Sequence, residues 1–280
     1  MPGFKSKYET LCDRLAFSPL EHVEKDSTAI NSNRISSALT ALASVLALDV
    51  YRSSSAEQAQ VYSGYSVGQW TALYAAGVLN FESLIEVIAH RASLMDACSA
   101  KRPGGMLAVI GVAPEPLLEL CVGLSSPEEF ITISNYNCYG QYTLSGDVAL
   151  IEVAQEAITK LSPKKVARIP VAGAWHSAIL DDAAFKFKQY LGDCDLKLPM
   201  AQVVDNVTGD YVPLDLEPML QTLGKHVSHS VQWHKSVKRL LADGVTECVE
   251  VGYGNTLTKF GMFIDRSIEH RAYFPTPIAV

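Results

Sequence analysis

From Ser36 to Val50 the chain is apolar nearly all round and rich in Ala and Leu, the pattern of a helix sunk in a core. A short run from Ala59 to Ser63 reads as a strand. It passes through Gly64 and continues into Thr-Ala-Leu-Tyr-Ala-Ala-Gly-Val-Leu (71–79), whose Ala and Leu content favours helix. The spacing therefore predicts a strand, a tight turn and a helix. Asn80 then predicts the cap of a second helix over Phe81 to Cys98, with Glu82 in the first turn, where a negative charge suits the helix dipole.

The rhythm changes at Pro103-Gly104-Gly105. Met-Leu-Ala-Val-Ile-Gly-Val (106–112) reads as a strand and the segment 114–124 as a helix. Segments 130–137 and 141–147 read as a hairpin around Cys138-Tyr139-Gly140, and a helix (148–161) and a strand (164–171) follow. Strand, helix, strand, strand, helix, strand is the ferredoxin-like order, which predicts an inserted small subdomain at 103–171. Beyond it, a helix near 181–192, a strand around 200–207, a helix over 231–244 and a strand at 247–252 return to α/β punctuation. The expected fold class is α/β: a large parallel-sheet domain of α/β-hydrolase type (1–102 and 172–280) carrying a ferredoxin-like insert, with a cleft between the two.

Composition narrows the function classes. The 280 residues are 48% hydrophobic and 19% charged, which suits a globular chain with a substantial core. Lys and Arg number 23 against 30 Asp and Glu, a scattered net charge of −7 without the basic stripe that a phosphate backbone requires, so nucleic acid is not an expected partner. The six cysteines are far apart, with no CxxC pair and no histidine at metal-ligand spacing, so no metal site is expected and the thiols read as free in a reducing cytoplasm. The start of the chain lacks the apolar stretch of a signal peptide and no run of eighteen apolar residues occurs, so no membrane partner is expected.

The chemistry concentrates at Gly64-Tyr65-Ser66-Val67-Gly68. G-x-S-x-G between a strand and a helix is a nucleophile elbow: its glycines permit a sharp turn that leaves the serine hydroxyl exposed, and the N–H of Val67 is aimed at a developing oxyanion. On the helix from Phe81 the apolar stripe is Leu84, Ile88 and Met95, and Arg91 occupies that same stripe. A buried guanidinium needs an anion, and its planar fork fits a carboxylate; an internal ion pair and a bound ligand both remain open on helix geometry alone. Histidine is the natural base for a serine, but seven are present and composition does not choose among them.

The segment from Gly64 through Arg91 to Ala97 closely resembles the core of the malonyl-CoA:acyl carrier protein transacylases, in which a GHSxGE or GHSxGQ elbow is followed by an Ala-Gly-Val-Leu helix end and an arginine helix. Arg91 follows Ser66 by 25 residues and His176 follows it by 110, the spacing of that family. The similarity extends through the Asn135-Tyr136-Asn137 hairpin, Pro170 to Ser177, Val203 to Gly209, Ser230 to Val237 and Glu247 to Thr258. The resemblance implies an acyltransferase that moves malonyl from malonyl-CoA to the phosphopantetheine thiol of an acyl carrier protein, with no bound cofactor. By it Ser66 is acylated, His176 is the base, the carbonyl of His226 orients His176, and Arg91 grips the free carboxylate. Gln69, Met95, Trp175, Asn135 and Asn137 fall among the implied substrate-binding residues.

Gly173-Ala174-Trp175-His176 is similar to the turn that sorts malonyl from methylmalonyl in polyketide acyltransferases, and a bulky Trp there favours malonyl, by about 1–3 kcal/mol at most. Two departures stand out. Tyr65 replaces the usual His, and Pro2-Gly3-Phe4-Lys5-Ser6 stands where the family has a strand and Pro-Gly-Gln-Gly-Ser, so that the backbone N–H of Phe4 is the expected second oxyanion donor. Lys164, Lys165, Lys235 and Lys238 are the candidate basic contacts for an acidic carrier protein. The alternatives are an editing acyl hydrolase, a transferase of a bulkier unit in a polyketide pathway, or a non-catalytic carrier-protein docking subunit.

Overall fold

A computed structural model describes residues 1, 3–55 and 59–273; Pro2 of the expected N-terminal motif lies outside the described residues. The chain opens with helices α1 (Phe4–Leu15), α2 (Pro19–Lys25) and α3 (Asn33–Ser54), then forms strand β1 (Val61–Ser63) and helices α4 (Gly68–Ala75) and α5 (Phe81–Lys101). The expected helix over 71–79 stops early. Gly77 adopts φ +80°, and the Val78 and Gly77 amides bond back to the Leu73 and Tyr74 carbonyls, closing α4 in the left-handed manner that glycine permits. Asn80 caps α5 by accepting from the Ser83 amide.

Strand β2 (Gly104–Ile110), helix α6 (Pro114–Leu124), the hairpin β3 (Ile131–Cys138) and β4 (Gln141–Asp147), helix α7 (Val148–Thr159) and strand β5 (Lys165–Arg168) build a four-stranded antiparallel sheet in the order β3-β4-β2-β5. This is the ferredoxin-like arrangement, with its own core of Leu107, Val109, Leu117, Ile131, Leu144, Ile151 and Ile158. Gly104 fixes its junction: a Cβ there would stand 2.6 Å from that of Ala174, two residues before His176.

The rest comprises α8 (Asp181–Asp193), β6 (Gln202–Val204), α9 (Leu216–Gly224), α10 (Trp233–Ala242), β7 (Glu247–Val251), α11 (Thr256–Ile264) and β8 (Glu269–Tyr273). Among the described residues the parallel pairings are β1 with β6 and β7 with β8, two separate pairs rather than one continuous sheet. The larger core gathers α1, α3, α4, α5, α8 and α9 around Val45, Leu73, Leu84, Ile88, Met219 and Leu223. Helix α3 has the length and apolarity to cross a membrane, but half of its apolar window is buried inside the protein.

Trp70 on α4 is fully buried, edge-on to Phe187 of α8 at 5.3 Å and edge-on to His226 at 5.8 Å, so that core packing reaches the elbow helix directly. Replacing Phe187 by Ala is expected to cost about 3–5 kcal/mol of stability, seen as a lower urea midpoint, because the cavity lies between two rigid helices that cannot collapse into it.

Candidate active site

The turn between β1 and α4 carries Ser66 with φ +49°, a left-handed conformation that a side-chain-bearing residue adopts only under constraint. The constraint is visible. Asn206, just past β6, accepts the Ser66 amide on Oδ1 at 2.7 Å and donates from Nδ2 to the Gly64 carbonyl. Its own amide donates to Gln69 Oε1 at 2.7 Å, while Gln69 Nε2 donates to Asp205 Oδ2 at 2.8 Å. Asp205 in turn accepts the Val207 and Thr208 amides, fixing its own loop. Gln69 is therefore fully buried and spent on both ends in clamping the elbow to the 205–206 loop, which corrects its expected place among the substrate contacts.

The two glycines of the motif differ. A Cβ on Gly64 would lie 2.0 Å from the Gly68 carbonyl oxygen, so no side chain fits, whereas a Cβ on Gly68 meets nothing within 4 Å. Only the first glycine is demanded by the turn. Beyond it the Val67 N–H stands at the head of α4 with no protein acceptor among the described residues, as the first amides of a helix do.

His176 reaches Ser66 from the far side of the cleft, Nε2 standing 2.8 Å from Oγ. It too has a left-handed backbone, φ +60°, and is buried. Its Nδ1–H donates to the His226 carbonyl at 2.9 Å, which leaves the Nε2 lone pair for the serine proton. Burial, reinforced by the nearby Arg91 cation, pushes the His176 pKa down to about 3, against the partial support of the His226 carbonyl. The imidazole is thus neutral across the physiological range.

Arg91 is 2% exposed and has no ion-pair partner among the described residues. Its Nε–H donates to His226 Nδ1 at 3.3 Å and Nη2 stands 3.4 Å from Ser66 Oγ, a long contact. Burial lowers its pKa to about 10, still cationic, with Asp96 opposing the shift from a distance. His226 receives Arg91 on Nδ1 and donates from Nε2 to the Ser66 carbonyl at 3.0 Å, and burial followed by the Arg91 charge holds it neutral. Sequence reading placed its backbone but missed its side chain, which joins Arg91 to the elbow. Asn206 was missed as well; the Val-Val-Asp-Asn segment signals a polar pair at a strand end but says nothing of what it touches.

A cavity of about 540 Å³ opens onto Ser66, Val67, Arg91, Met95, Asp96 and Trp175. Trp175 folds back on Gly173, where a Cβ would meet its ring at 2.3 Å. Asn135 and Asn137 do not line this cavity. Asn135 Oδ1 accepts the Ser134 hydroxyl, and Asn137 accepts from Tyr65 Oη at 2.7 Å and donates to Thr143, so both are corrected from substrate contacts to internal partners. The Tyr65 ring packs edge-on to Trp233. Phe4 lies elsewhere altogether: it begins α1, its ring stacks on Tyr8, its amide donates to the Met1 carbonyl, and α1 packs on α3 and α5. The structure does not bring Phe4 to the cavity at Ser66, because its segment is helical and its amide is used by the Met1 carbonyl.

No protein-family model matches the chain. Over 207 residues it is 28% identical to the malonyl CoA-acyl carrier protein transacylase of Bacillus subtilis (strain 168), covering 74% of this chain and 65% of that protein. Over 209 residues it is 32% identical to the protein of the same name from Staphylococcus aureus (strain MRSA252), covering 74% and 67%. The chain thus spans about two thirds of the length of these curated relatives. The solved structure of malonyl-CoA:acyl carrier protein transacylase from Xanthomonas oryzae pv. oryzae is similar with a TM-score of 0.91, over 98% of this chain and 88% of that one at 22% identity, a likeness of fold: α/β-hydrolase-like with a ferredoxin-like subdomain.

The unequal glycines make a direct test of the elbow. Gly64→Ala is expected to lower the urea midpoint sharply, whereas Gly68→Ala is expected to leave it at or above that of the parent, since its methyl enters open space and alanine favours helix. Urea unfolding of the two purified variants checks this, and equal losses in both would contradict the packing account.

Proposed function

The chain belongs to the malonyl-CoA:acyl carrier protein transacylase family, and on that footing we propose that it carries malonyl from malonyl-CoA to the phosphopantetheine thiol of an acyl carrier protein through a malonyl-Ser66 ester. The single observation that carries this reading is a buried arginine with no ion-pair partner among the described residues, set against a paired serine and neutral histidine. Such a cation is costly to bury unpaired, and a ligand carboxylate supplies the missing anion. Because His226 occupies Nε, the Nη1 and Nη2 pair is left for bidentate contact.

The chemistry follows from the tautomers. His176 Nε2 takes the Ser66 hydroxyl proton as Oγ bonds to the thioester carbonyl carbon, and the Val67 N–H faces the developing oxyanion. As the tetrahedral intermediate collapses, the carbon–sulfur bond breaks, the leaving sulfur takes the proton from His176, and malonyl remains on Ser66. The carrier thiol then gives its proton to His176, attacks the ester carbonyl, and Ser66 recovers its proton, giving ping-pong kinetics. An ester-editing hydrolase gains no support from the site, since Arg91 answers a carboxylate that a simple acyl chain lacks. We place the exchange in the cytoplasm, with Lys164, Lys165 and Lys235 as candidate contacts for an acidic carrier. Lys238 is less available, being paired with Asp265 at 3.6 Å.

Incubation with malonyl-CoA is expected to add one malonyl group at Ser66, and Ser66→Ala to add none. A folded parent without the adduct would sink the transferase reading. Arg91→Ala is expected to slow malonyl loading by about 10²–10³-fold while sparing acetyl loading, the loss of two charge-assisted hydrogen bonds.

The pH dependence follows from His176. Its folded-state pKa is depressed, so the base stays neutral as pH falls from 8 to 5, where an ordinary histidine near 6.5 loses about thirtyfold of its neutral form. The kcat/KM for malonyl-CoA is expected to stay within about threefold over that range. Stability has the opposite sense: below about pH 6.5 the unfolded chain takes up protons at residues 176 and 226 that the folded state refuses, so the urea midpoint is expected to drop with acid.

A further inference from the structure

The cavity that opens onto Ser66 and Arg91 has a second polar wall, which the transfer of plain malonyl does not use. Asp96 and Ser99 stand three residues apart on α5, and so on one side of it, while Asn33, Ser36 and Ser37 line the cavity from the start of α3. Asp96 is held in place through one oxygen only. The Ser37 hydroxyl donates to Asn33 Oδ1 at 3.1 Å, and Asn33 Nδ2 donates to Asp96 Oδ1 at 3.1 Å, while Asp96 Oδ2 accepts from no described residue. Burial raises the Asp96 pKa, and the Asn33 hydrogen bond with the nearby Arg34 and Arg91 cations opposes that rise and favours the carboxylate.

Ser99 is the second unmet group on this wall. Its Oγ is buried without a hydrogen-bond partner among the described residues, a state that a folded chain seldom leaves uncompensated. It fits where it does because residue 173 is glycine, since a Cβ there would collide with that Oγ. A carboxylate oxygen that lacks a donor and a hydroxyl that lacks any partner lie on the same side of one helix, in the lining of the acyl cavity. Together they suit a small ligand group that donates to the first and accepts from the second.

We propose that Asp96 is a specificity-determining residue, and that the acyl unit this site selects is malonyl bearing a hydroxyl on C2, the carbon between its thioester and its free carboxylate. The inference rests on the malonyl reading, since Ser66 and Arg91 must hold the two ends of the unit for C2 to lie between them. A substituent on C2 then meets the rest of the lining, which includes Met95, Asp96, Ser99 and Trp175. A hydroxyl donates to Asp96 Oδ2 and accepts from Ser99 Oγ. A methyl of nearly the same size does neither, and leaves the carboxylate desolvated without a donor. An ammonium group there adds a second cation beside Arg91, which the hydroxyl avoids.

The test is binding without turnover, by titration calorimetry of the Ser66→Ala protein with 2-hydroxymalonyl-CoA, methylmalonyl-CoA and malonyl-CoA. The hydroxyl compound is expected to bind about tenfold or more tightly than the methyl compound, which Trp175 crowds to the same degree. In that background Asp96→Asn keeps the shape and loses the charge, and is expected to shrink the preference to about threefold. Asp96→Leu is expected to erase it. A merely structural role for Asp96 would weaken all three ligands together and leave the preference unchanged. That outcome overturns the proposal, as do equal affinities for the hydroxyl and methyl compounds with Asp96 in place. Should Asp96→Leu fail to fold, the preference with Asp96 in place and its change in Asp96→Asn still decide. The two readings fail separately: malonyl-CoA bound, and loaded on the Ser66 protein, with no preference for the hydroxyl strikes this inference alone, whereas binding of none of the three strikes both.

Discussion

A serine held at φ +49° does not stay there by its own preference; the turn around Ser66 persists because Asn206 ties both of its ends. One side chain bridges the amide of Ser66 and the carbonyl of Gly64, and Gln69 and Asp205 lock that side chain's loop in place. Left-handed backbone at a residue with a side chain costs on the order of 1–3 kcal/mol and survives only when the surroundings over-determine it. Here the surroundings are three polar side chains whose hydrogen bonds are nearly all internal. His176 and Arg91, which reach Ser66 Oγ, are positioned against this turn.

The electrostatics of the cleft follow from burial around that fixed point. Arg91 and two imidazoles are buried together, and the system stays tolerable by leaving only one of the three charged. Both histidines are held neutral by desolvation first and by the Arg91 cation second, and each has its tautomer set by the carbonyl it donates to. The Arg91 charge has no ion-pair partner among the described residues. On the proposed function, a ligand carboxylate on Arg91 would offset the cation that lowers the His176 pKa, so binding of the acid group and readiness of the base would be coupled. The side chain of His226 links these parts, since it touches Arg91 and the elbow through its ring and His176 through its backbone.

Among the described residues, the ferredoxin-like insert closes a four-stranded sheet over its own core, while the larger half holds two separate parallel pairs of strands. The elbow follows β1 and is clamped by Asn206, just past the partner strand β6.

Local signals carried a large part of this in the sequence alone. The strand, turn and helix around Ser66, the Asn80 cap, the hairpin at 131–147 and the ferredoxin-like order all arise from contacts a few residues apart, where periodicity and turn chemistry speak directly. The place of Arg91 on a buried helix stripe was legible for the same reason. What the sequence does not contain is who meets whom across distance. Gln69 and Asn137 carry the same amide as a substrate contact would, and only the fold shows that the first clamps a loop and the second receives Tyr65. Phe4 was an expected oxyanion donor only through the place its segment matches in the family, whereas it begins a helix that packs on α3 and α5. Residue type and spacing determined which groups are able to react; tertiary packing decided which of them face the same cavity, because burial and long-range hydrogen bonds are properties of the assembled chain and of no segment by itself.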